Sequence, residues 1–362
     1  MRNQKAVEVL ILGAGLSGLT AAAILKREGL SVRLIESRAR IGGRILTAGL
    51  DTNQPIELGA TWLGKKHKNL RTLLDSLGLE IFKQEIGRQA FFEPMSNSDP
   101  YLVEVPDNSE PSYRIKGGSS KLIEKLVDRV GVENILTSEK ALSIKAITDG
   151  LEVQTTKAVY TAERVITTLP PNLLVNRIDF EPALPKTLMR VATSTHTWMD
   201  DSIKVALTYA EPFWLASDKS GTIMSNVGPV HEMYDHSNYE KSFFALMGFF
   251  NSNYHSLTKD QRLERILEQF QKYYGPQAKD CLSYEEKVWR KDADTYQAYA
   301  SHIVPHQNNG DSIYQNQYMD NRLIISGTET SPVFPGYMDG AVFSGMLAAR
   351  WVKSSLHSSG SD

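Results

Sequence analysis

The sequence predicts an α/β fold that combines a parallel sheet with a second, α+β unit. An apolar strand at 7–12 runs into a glycine-rich turn and a helix at 16–28, and another strand follows at 31–35. Strands that alternate with helices build parallel sheets. From residue 202 onward several predicted strands are followed by one helix, a succession that indicates a second, α+β domain. A last strand, glycine turn and helix at 322–352 return the chain to the first unit.

The turn after the first strand has the glycine spacing of a dinucleotide-binding, Rossmann-like unit. Gly13 suits the tight turn, Gly15 lets the backbone approach a pyrophosphate, and Gly18 lets helix and strand pack closely. The phosphates would lie at the helix N-terminus, where free N–H groups and the helix dipole favour negative charge. The remaining residues of the predicted phosphate turn are Ala14, Leu16 and Ser17.

An acidic residue follows the second strand at the position that ribose recognition requires. Glu36 stands at the end of the 31–35 strand, where its carboxylate can accept hydrogen bonds from ribose hydroxyls and would repel the 2′-phosphate of NADP. A basic loop with paired glycines comes next, and arginine is a natural partner of phosphate. The binding residues predicted in this loop are Ser37, Arg38, Gly42, Gly43 and Arg44.

Composition excludes several classes of protein. The 362 residues are 41% hydrophobic and 23% charged with a net charge of −2, so the chain offers no electrostatic case for nucleic acid or an anionic membrane. No apolar run approaches a membrane span, and we expect a cytoplasmic protein. Cys281 is the single cysteine, and Pro305 between His302 and His306 argues against a helical metal site. We therefore predict no metal ligands.

Hydrophobic periodicity, together with the positions of helix caps, glycines and prolines, predicts a discontinuous domain organisation. Helices are expected at about 66–77, 119–131 and 259–274, the last with a capping box at its start. The proline-rich segment 94–112 is expected to be loop with one short strand at 101–105. The predicted first domain comprises 1–83, 113–194 and 296–354, the second comprises 84–112 and 195–295, and 355–362 is a flexible tail.

A second glycine turn lies almost 300 residues after the first and distinguishes the cofactor. Gly336 precedes a helix that begins near Met338, and its N-terminus could stabilise the negative charge that forms on a reduced flavin ring. One pyrophosphate turn alone would also suit NAD. A glycine turn that caps a purely structural helix remains the alternative.

In combination these motifs resemble the FAD-dependent amine oxidase family, which includes monoamine, polyamine and L-amino-acid oxidases. The resemblance covers 7–81, 115–213 and 289–350. It implies FAD as cofactor, an amine as substrate and dioxygen as oxidant, with imine, aldehyde and hydrogen peroxide as products. The further cofactor-binding residues that it implies are Gly59, Ala60, Thr61, Trp62, Ala141, Thr168, Leu169, Pro170, Trp289, Gly327, Thr328, Glu329, Gly336, Tyr337 and Met338.

The same resemblance implies the catalytic residues. Lys204 matches the lysine that holds a water against the flavin, although a lysine on the polar face of an alternating strand is ordinarily solvated. Tyr299 and Tyr337 match the two walls of an aromatic cage, and Trp289 stands ten positions before the first of them. Two core tyrosines with satisfied hydroxyls would be the structural alternative.

Two departures from the family pattern qualify these expectations. Ala298 occupies the position where covalent monoamine oxidases have cysteine, so FAD is expected to bind without a covalent bond. The segment between Gly78 and Ile115 is short, so the substrate site is either open or roofed by another subunit, and the oligomeric state stays open. A desaturase acting on a C–C bond and a flavin-binding protein without oxidase activity remain the rival functions.

Overall fold

The computed structural model describes residues 4–52, 54–106, 110–216 and 219–358. Its strands are β1 (Gln4–Leu12), β2 (Val32–Ile35), β3 (Thr47–Ala48), β4 (Ile56–Glu57), β5 (Ile81–Lys83), β6 (Gln89–Glu93), β7 (Tyr101–Glu104), β8 (Tyr113–Ile115), β9 (Ile135–Leu136), β10 (Ala141–Ile147), β11 (Gly150–Thr155), β12 (Val159–Thr167), β13 (Asp179–Glu181), β14 (Ile203–Tyr209), β15 (Ile223–Ser225), β16 (Val230–Asp235), β17 (Phe244–Phe250), β18 (Ser283–Val288), β19 (Gln317–Tyr318) and β20 (Leu323–Ile325).

Helices cover both faces of the first sheet and one face of the second. Most of them begin and end close to the positions that the sequence predicts. The helices are α1 (Leu16–Arg27), α2 (Lys68–Ser76), α3 (Ser120–Val130), α4 (Pro171–Arg177), α5 (Lys186–Thr193), α6 (Lys259–Tyr274) and α7 (Met338–Ser358).

The first sheet has the predicted parallel centre. Its order is β13-β10-β11-β12-β1-β2-β9, and β20 pairs with the end of β12. Strand β1 lies parallel to both β12 and β2. Alternate residues of β1 enter different cores, since Val9 and Ile11 pack with α1, α3 and α7 whereas Leu10 and Leu12 pack towards α4 and α5. Burial on both faces explains why β1 is apolar from Val9 to Leu12.

The second sheet is mainly antiparallel and carries the other half of the molecule. Its order is β18-β14-β17-β16-β15-β6-β7. Helix α6 begins with the predicted capping box, in which Thr258 accepts from the Gln261 backbone and the Gln261 side chain accepts from the Thr258 backbone. Its Ile266 and Phe270 pack against one face of this sheet. The predicted α/β fold class with a Rossmann-like unit is therefore confirmed, while the domain boundaries stay predictions.

Two local differences from the sequence expectations concern helices. Helices α4 and α5 were not expected, and each is short and begins next to a proline. The last helix continues through Ser358, beyond the predicted end at 352, and 359–362 of the predicted flexible tail lie outside the described residues. The predicted loop at 94–112 contains β7 as expected, and its residues 107–109 also lie outside the described part.

Candidate active site

A cavity of about 870 Å³ lies between the two sheets and contains most of the predicted site. The carboxyl ends of β1 and β2 open into it from one side, and β14, β16 and β17 face it from the other. The predicted residues that line it are Gly13, Gly15, Leu16, Ser17, Glu36, Ser37, Arg38, Gly42, Gly43, Arg44, Gly59, Ala60, Thr61, Trp62, Ala141, Thr168, Leu169, Pro170, Lys204, Trp289, Gly327, Thr328, Gly336, Tyr337 and Met338.

The first glycine turn forms a backbone cradle at the end of β1. Gly13 has a φ of +102°, and a Cβ there would lie 2.5 Å from Thr168 Oγ1. A Cβ on Gly43 would lie 3.2 Å from the Cα of Gly15, and a Cβ on Gly18 would lie 2.1 Å from the Gly13 oxygen. No side chain caps α1 at Gly15, so its first N–H groups remain available to an anion. This cradle fits a pyrophosphate.

Glu36 lies where the sequence predicts it, with its carboxylate held in place by the turn. Its Oε2 accepts from the Ala14 nitrogen at 2.9 Å, and its Oε1 accepts from the Arg38 nitrogen at 3.0 Å. Oε1 also accepts from Ser37 Oγ and from Arg38 Nη1, both at 3.3 Å. Among the described residues Oε2 accepts from Ala14 alone, so a lone pair of Oε2 remains for a ribose hydroxyl.

The two arginines predicted to meet phosphate already have carboxylate partners. Arg38 bonds to Asp292 at 2.7 Å and to Glu36 at 3.3 Å. Arg44 forms a two-pronged ion pair with buried Glu329, at 2.6 and 2.9 Å. Burial lowers the pKa of Arg44, but the Glu329 carboxylate more than offsets that effect and raises it. This ion pair links the paired-glycine loop at 42–44 to the turn at 327–329.

The second glycine turn leads directly into α7 and the cavity. Thr328 Oγ1 donates to the Tyr337 oxygen at 2.6 Å, which fixes the turn ahead of the helix. Asp339 in the first turn of α7 accepts from the Leu70 backbone at 2.8 Å and from Asn69 at 2.9 Å, so α2 positions the start of α7.

Lys204 is buried in the wall of the cavity, with only 3% of its surface exposed. Its Nζ donates to the Gly59 oxygen at 2.6 Å and to Thr61 Oγ1, and it lies 5.0 Å from the ring centre of Trp62. Burial lowers the pKa of Lys204 to about 7, and the neighbouring Glu57 carboxylate opposes that effect. Burial thus favours the neutral amine of Lys204, and Glu57 favours the ammonium.

Trp289 closes another part of the cavity wall. Its Nε1 donates to the Leu58 oxygen at 2.9 Å. The Lys287 ammonium lies 5.0 Å from the ring centre, and the Arg40 guanidinium lies 6.0 Å from it. These contacts fix the indole as a rigid wall.

The structure does not bring Tyr299 and Tyr337 together as facing walls. Tyr337 lines the main cavity and is 42% exposed, whereas Tyr299 lines a separate cavity of about 370 Å³ beside α5. The ring that faces Tyr337 inside the main cavity is Trp198, at 6.5 Å between centres. His306 stacks on Trp198 at 4.1 Å and lies nearly parallel to Tyr337 at 6.1 Å.

The Tyr299 hydroxyl instead belongs to a buried polar contact. It accepts from the Thr197 backbone at 2.8 Å and donates to Asp200 at 3.2 Å. The sequence reasoning missed Trp198 and Asp200, and it interpreted His306 as a loop or surface histidine. The segment 196–200 contains no glycine and no alternation of polar and apolar residues, so its sequence did not indicate a functional site.

Comparison with known proteins decides the family. The model of the flavin-containing amine oxidoreductase family matches residues 16–97 and 95–353. The chain belongs to this family. FAD is accordingly its cofactor, as the two glycine turns predict, and the chain is a flavin-containing amine oxidase.

Curated relatives of this amine oxidase cover nearly its whole length. The flavin-containing amine oxidase B of Homo sapiens is 25% identical over 98% of this chain and 86% of its own. The probable flavin-containing monoamine oxidase A of Dictyostelium discoideum is 23% identical over 96% of this chain and 98% of its own. The human alignment is 458 positions long and this chain has 362 residues, so on the order of a hundred positions of the relative lack a counterpart here.

Solved structures share the fold of this amine oxidase. Wild-type putrescine oxidase bound to putrescine superposes with a TM-score of 0.83 at 21% identity and covers 97% of this chain and 100% of its own. Cyclohexylamine oxidase from Brevibacterium oxydans superposes with a TM-score of 0.84 at 20% identity, over 97% of this chain and 99% of its own.

Cysteine placement excludes one mode of flavin attachment in this amine oxidase. Cys281 is the single cysteine of the chain and packs against the core of the second sheet, away from the cavity lining. A cysteinyl bond to a flavin in the cavity is therefore not available.

Within the described ranges of residues 4–358, none of the helices combines the length and the apolar character that crossing a bilayer requires.

Proposed function

We propose that this chain oxidises a primary or secondary amine in the cavity, with dioxygen as the final acceptor. The imine product would hydrolyse to an aldehyde, and oxygen would be reduced to hydrogen peroxide. The observation that carries this proposal is a buried lysine, hydrogen-bonded to Gly59 and Thr61, in the wall of the cavity that the two glycine turns also line. When bound without a covalent bond, FAD supplies the hydride acceptor and the site of oxygen reduction.

Lys204 has a geometry suited to holding one water molecule. An ammonium has three N–H donors, and two of them are directed at Gly59 and Thr61. The third donor of the ammonium, or the lone pair of the neutral amine, remains for a water in the cavity. We assign Lys204 to holding that water and to supplying charge during oxygen reduction, not to removing a proton from the substrate.

Tyr337 and Trp198 are the aromatic walls we propose for the substrate. Both rings line the cavity and are inclined by 34° to each other. Aromatic faces attract an amine and confine flat or apolar groups beside it. Tyr299 supports this wall from behind through its contact with Asp200 and the 196–200 segment.

The rival functions use the same cofactor cavity with other chemistry. A desaturase acting on a C–C bond has no evident use for an amine-binding aromatic wall and a water-holding lysine, which favours amine oxidation. The solved neighbours named for putrescine and cyclohexylamine support the same choice. A cytoplasmic location stays a proposal from composition alone.

The Lys204→Met variant tests the assigned role. In stopped-flow experiments we expect reduction of the flavin by amine to change little, and reoxidation of the reduced flavin by dioxygen to slow about tenfold or more, since the water and the charge are lost. Lys145→Met, an exposed lysine paired with Glu181 at the edge of the first sheet, is the matched control. Unchanged reoxidation in Lys204→Met would remove the lysine from the mechanism.

A further inference from the structure

Trp198 forms part of the cavity wall although it lies on a turn between α5 and β14 and not in a helix or strand. Arg44 donates to the Trp198 oxygen at 3.2 Å, which fixes the backbone of the turn. The direction of the indole is not set by a ladder of backbone hydrogen bonds, as it would be in a strand. The position of this ring therefore depends on the side chains that pack against it.

His306 supplies that packing. Its imidazole ring is inclined by 20° to the indole of Trp198, with 4.1 Å between the ring centres. Aromatic pairs in such contact attract each other beyond the effect of the area that they bury. Among the described residues that line the cavity His306 is absent, so it can affect a substrate only through the rings that do line it.

Two hydrogen bonds hold the His306 backbone in an unfavourable conformation. His306 has a φ of +61°, in the left-handed region that is costly for a residue with a Cβ. Its N–H donates to His196 Nδ1 at 3.2 Å, and the N–H of His196 donates to the Gln307 oxygen at 3.0 Å. The loop is thereby tied to the segment that carries Trp198. Such strained residues persist where the surrounding structure fixes them, and they are frequent at functional sites.

The second glycine turn packs against the same two rings. A Cβ on Gly336 would lie 3.0 Å from Trp198 Cβ and 3.1 Å from His306 Cε1. Tyr337 follows directly, and its ring is inclined by only 14° to that of His306, at 6.1 Å between centres. The imidazole therefore contacts one substrate wall, Trp198, and lies parallel to the other.

We propose that His306 is a positioning residue of the substrate site, whose ring holds the Trp198 indole at a fixed separation from Tyr337 and so sets the affinity for the amine. This inference rests on the proposed function, in which those two rings are the walls that hold the substrate. His306 takes no part in hydride or proton transfer. Loss of its ring should therefore weaken amine binding and leave the rate of flavin reduction in the bound complex unchanged.

The test first measures binding without chemistry. The probe is 2-phenylpropan-2-amine, which has an aromatic ring and an amino group but no hydrogen on the carbon that bears the nitrogen, so it cannot be oxidised to an imine. Its Kd for the FAD holoenzyme is read from the change in flavin absorbance. His306→Asn removes the ring, and asparagine tolerates positive φ. His302→Asn, at an exposed position of the same loop, is the matched control.

We expect His306→Asn to raise the Kd of the probe about fivefold, which is the order of magnitude that a stacked aromatic pair contributes. His302→Asn should change it less than about twofold. The double variant separates positioning from a general structural effect. If His306 acts through Trp198, His306→Asn should change the Kd less than about twofold in the Trp198→Leu background.

Stopped-flow reduction then separates affinity from chemistry. With the amine that bleaches the wild-type flavin fastest, His306→Asn should raise the concentration needed for half-saturation and keep the limiting rate within about twofold of the wild-type value. A limiting rate that falls together with the affinity would place His306 in the chemical step and contradict a positioning role.

The binding outcomes are equally decisive. The assignment of His306 is overturned if His306→Asn leaves the Kd unchanged, if it raises the Kd equally with and without the indole, or if the wild-type holoenzyme does not bind the probe. Failure of the proposed function looks different. If no amine of a wide panel reduces the wild-type flavin, the oxidase function falls, while the Kd values still decide whether His306 positions the wall.

Discussion

Asp200 shows how a single buried carboxylate can govern the pH response of the site. It is buried behind the cavity wall, and burial together with the Asp201 charge raises its pKa to about 7. The Tyr299 hydrogen bond and the Arg44 guanidinium oppose that rise, whereas Glu329 adds to it. The charged form of Asp200 therefore lowers the free energy of unfolding at neutral pH.

Replacing Asp200 by Asn should stabilise the protein at high pH. A carboxyl group whose pKa is about 7 when folded and about 3.9 when unfolded loses stability as pH rises from the lower value to the higher one. We expect Asp200→Asn to raise the free energy of unfolding by up to about 4 kcal/mol at pH 8 and by little at pH 4. Urea unfolding at both pH values measures this difference.

The exposed Asp179→Asn variant on β13 serves as the control for Asp200→Asn, because its carboxylate is solvated. A stabilisation by Asp200→Asn that is equal at pH 4 and pH 8 would show that packing, rather than ionisation, causes it.

Lys204 marks the limit of sequence reasoning at the residue scale. Alternation in β14 predicted a solvated polar face, yet Lys204, Ala206 and Thr208 are all buried. Ile56 and Leu58 cover that face, and they come from a segment almost 150 residues earlier. Only the family resemblance identified Lys204, because the alternation within one strand cannot show which distant segment covers a face of that strand.

At the scale of elements, the turn between β1 and α1 carries the cofactor prediction. Gly13→Ala introduces a Cβ at 2.5 Å from Thr168 Oγ1 and a residue with strained positive φ at the phosphate cradle. We expect the purified variant to contain several-fold less FAD, read as the ratio of flavin absorbance to protein absorbance.

Gly29→Ala controls for conformational strain, since Gly29 also has positive φ, at +86°, but a Cβ there meets open space at the end of α1. The cradle assignment predicts full FAD content in this control. Equal loss of FAD from both variants would mean that general destabilisation, and not the cradle, controls FAD retention.

Elements with local signals could be predicted, and those defined by distant contacts could not. Three kinds of signal are local: glycines that end helices, the capping box at Thr258 and the apolar run of β1. The structure agrees with these predictions. Helices α4 and α5 are too short for periodicity to reveal. Tyr299 lines a different cavity from Tyr337 and contacts Thr197 and Asp200, an arrangement that no sequence spacing encodes.

At the scale of the whole molecule, two sheets from interleaved segments enclose one cavity. The ion pair of Arg44 with Glu329 links the paired-glycine loop at 42–44 to the turn at 327–329, although the two residues are 285 positions apart in the chain. A second ion pair joins Arg38 of the first unit to Asp292, which lies shortly after the end of β18. The positions that relatives have and this chain lacks agree with the short segment noted between Gly78 and Ile115.

Anaerobic mixing of the purified yellow holoenzyme with a panel of amines tests the central claim most directly. The account predicts that at least one short amine bleaches the flavin absorbance, and that admitting air restores the colour with formation of hydrogen peroxide. A flavin that every amine in the panel leaves oxidised would contradict the assignment of this chain as an amine oxidase.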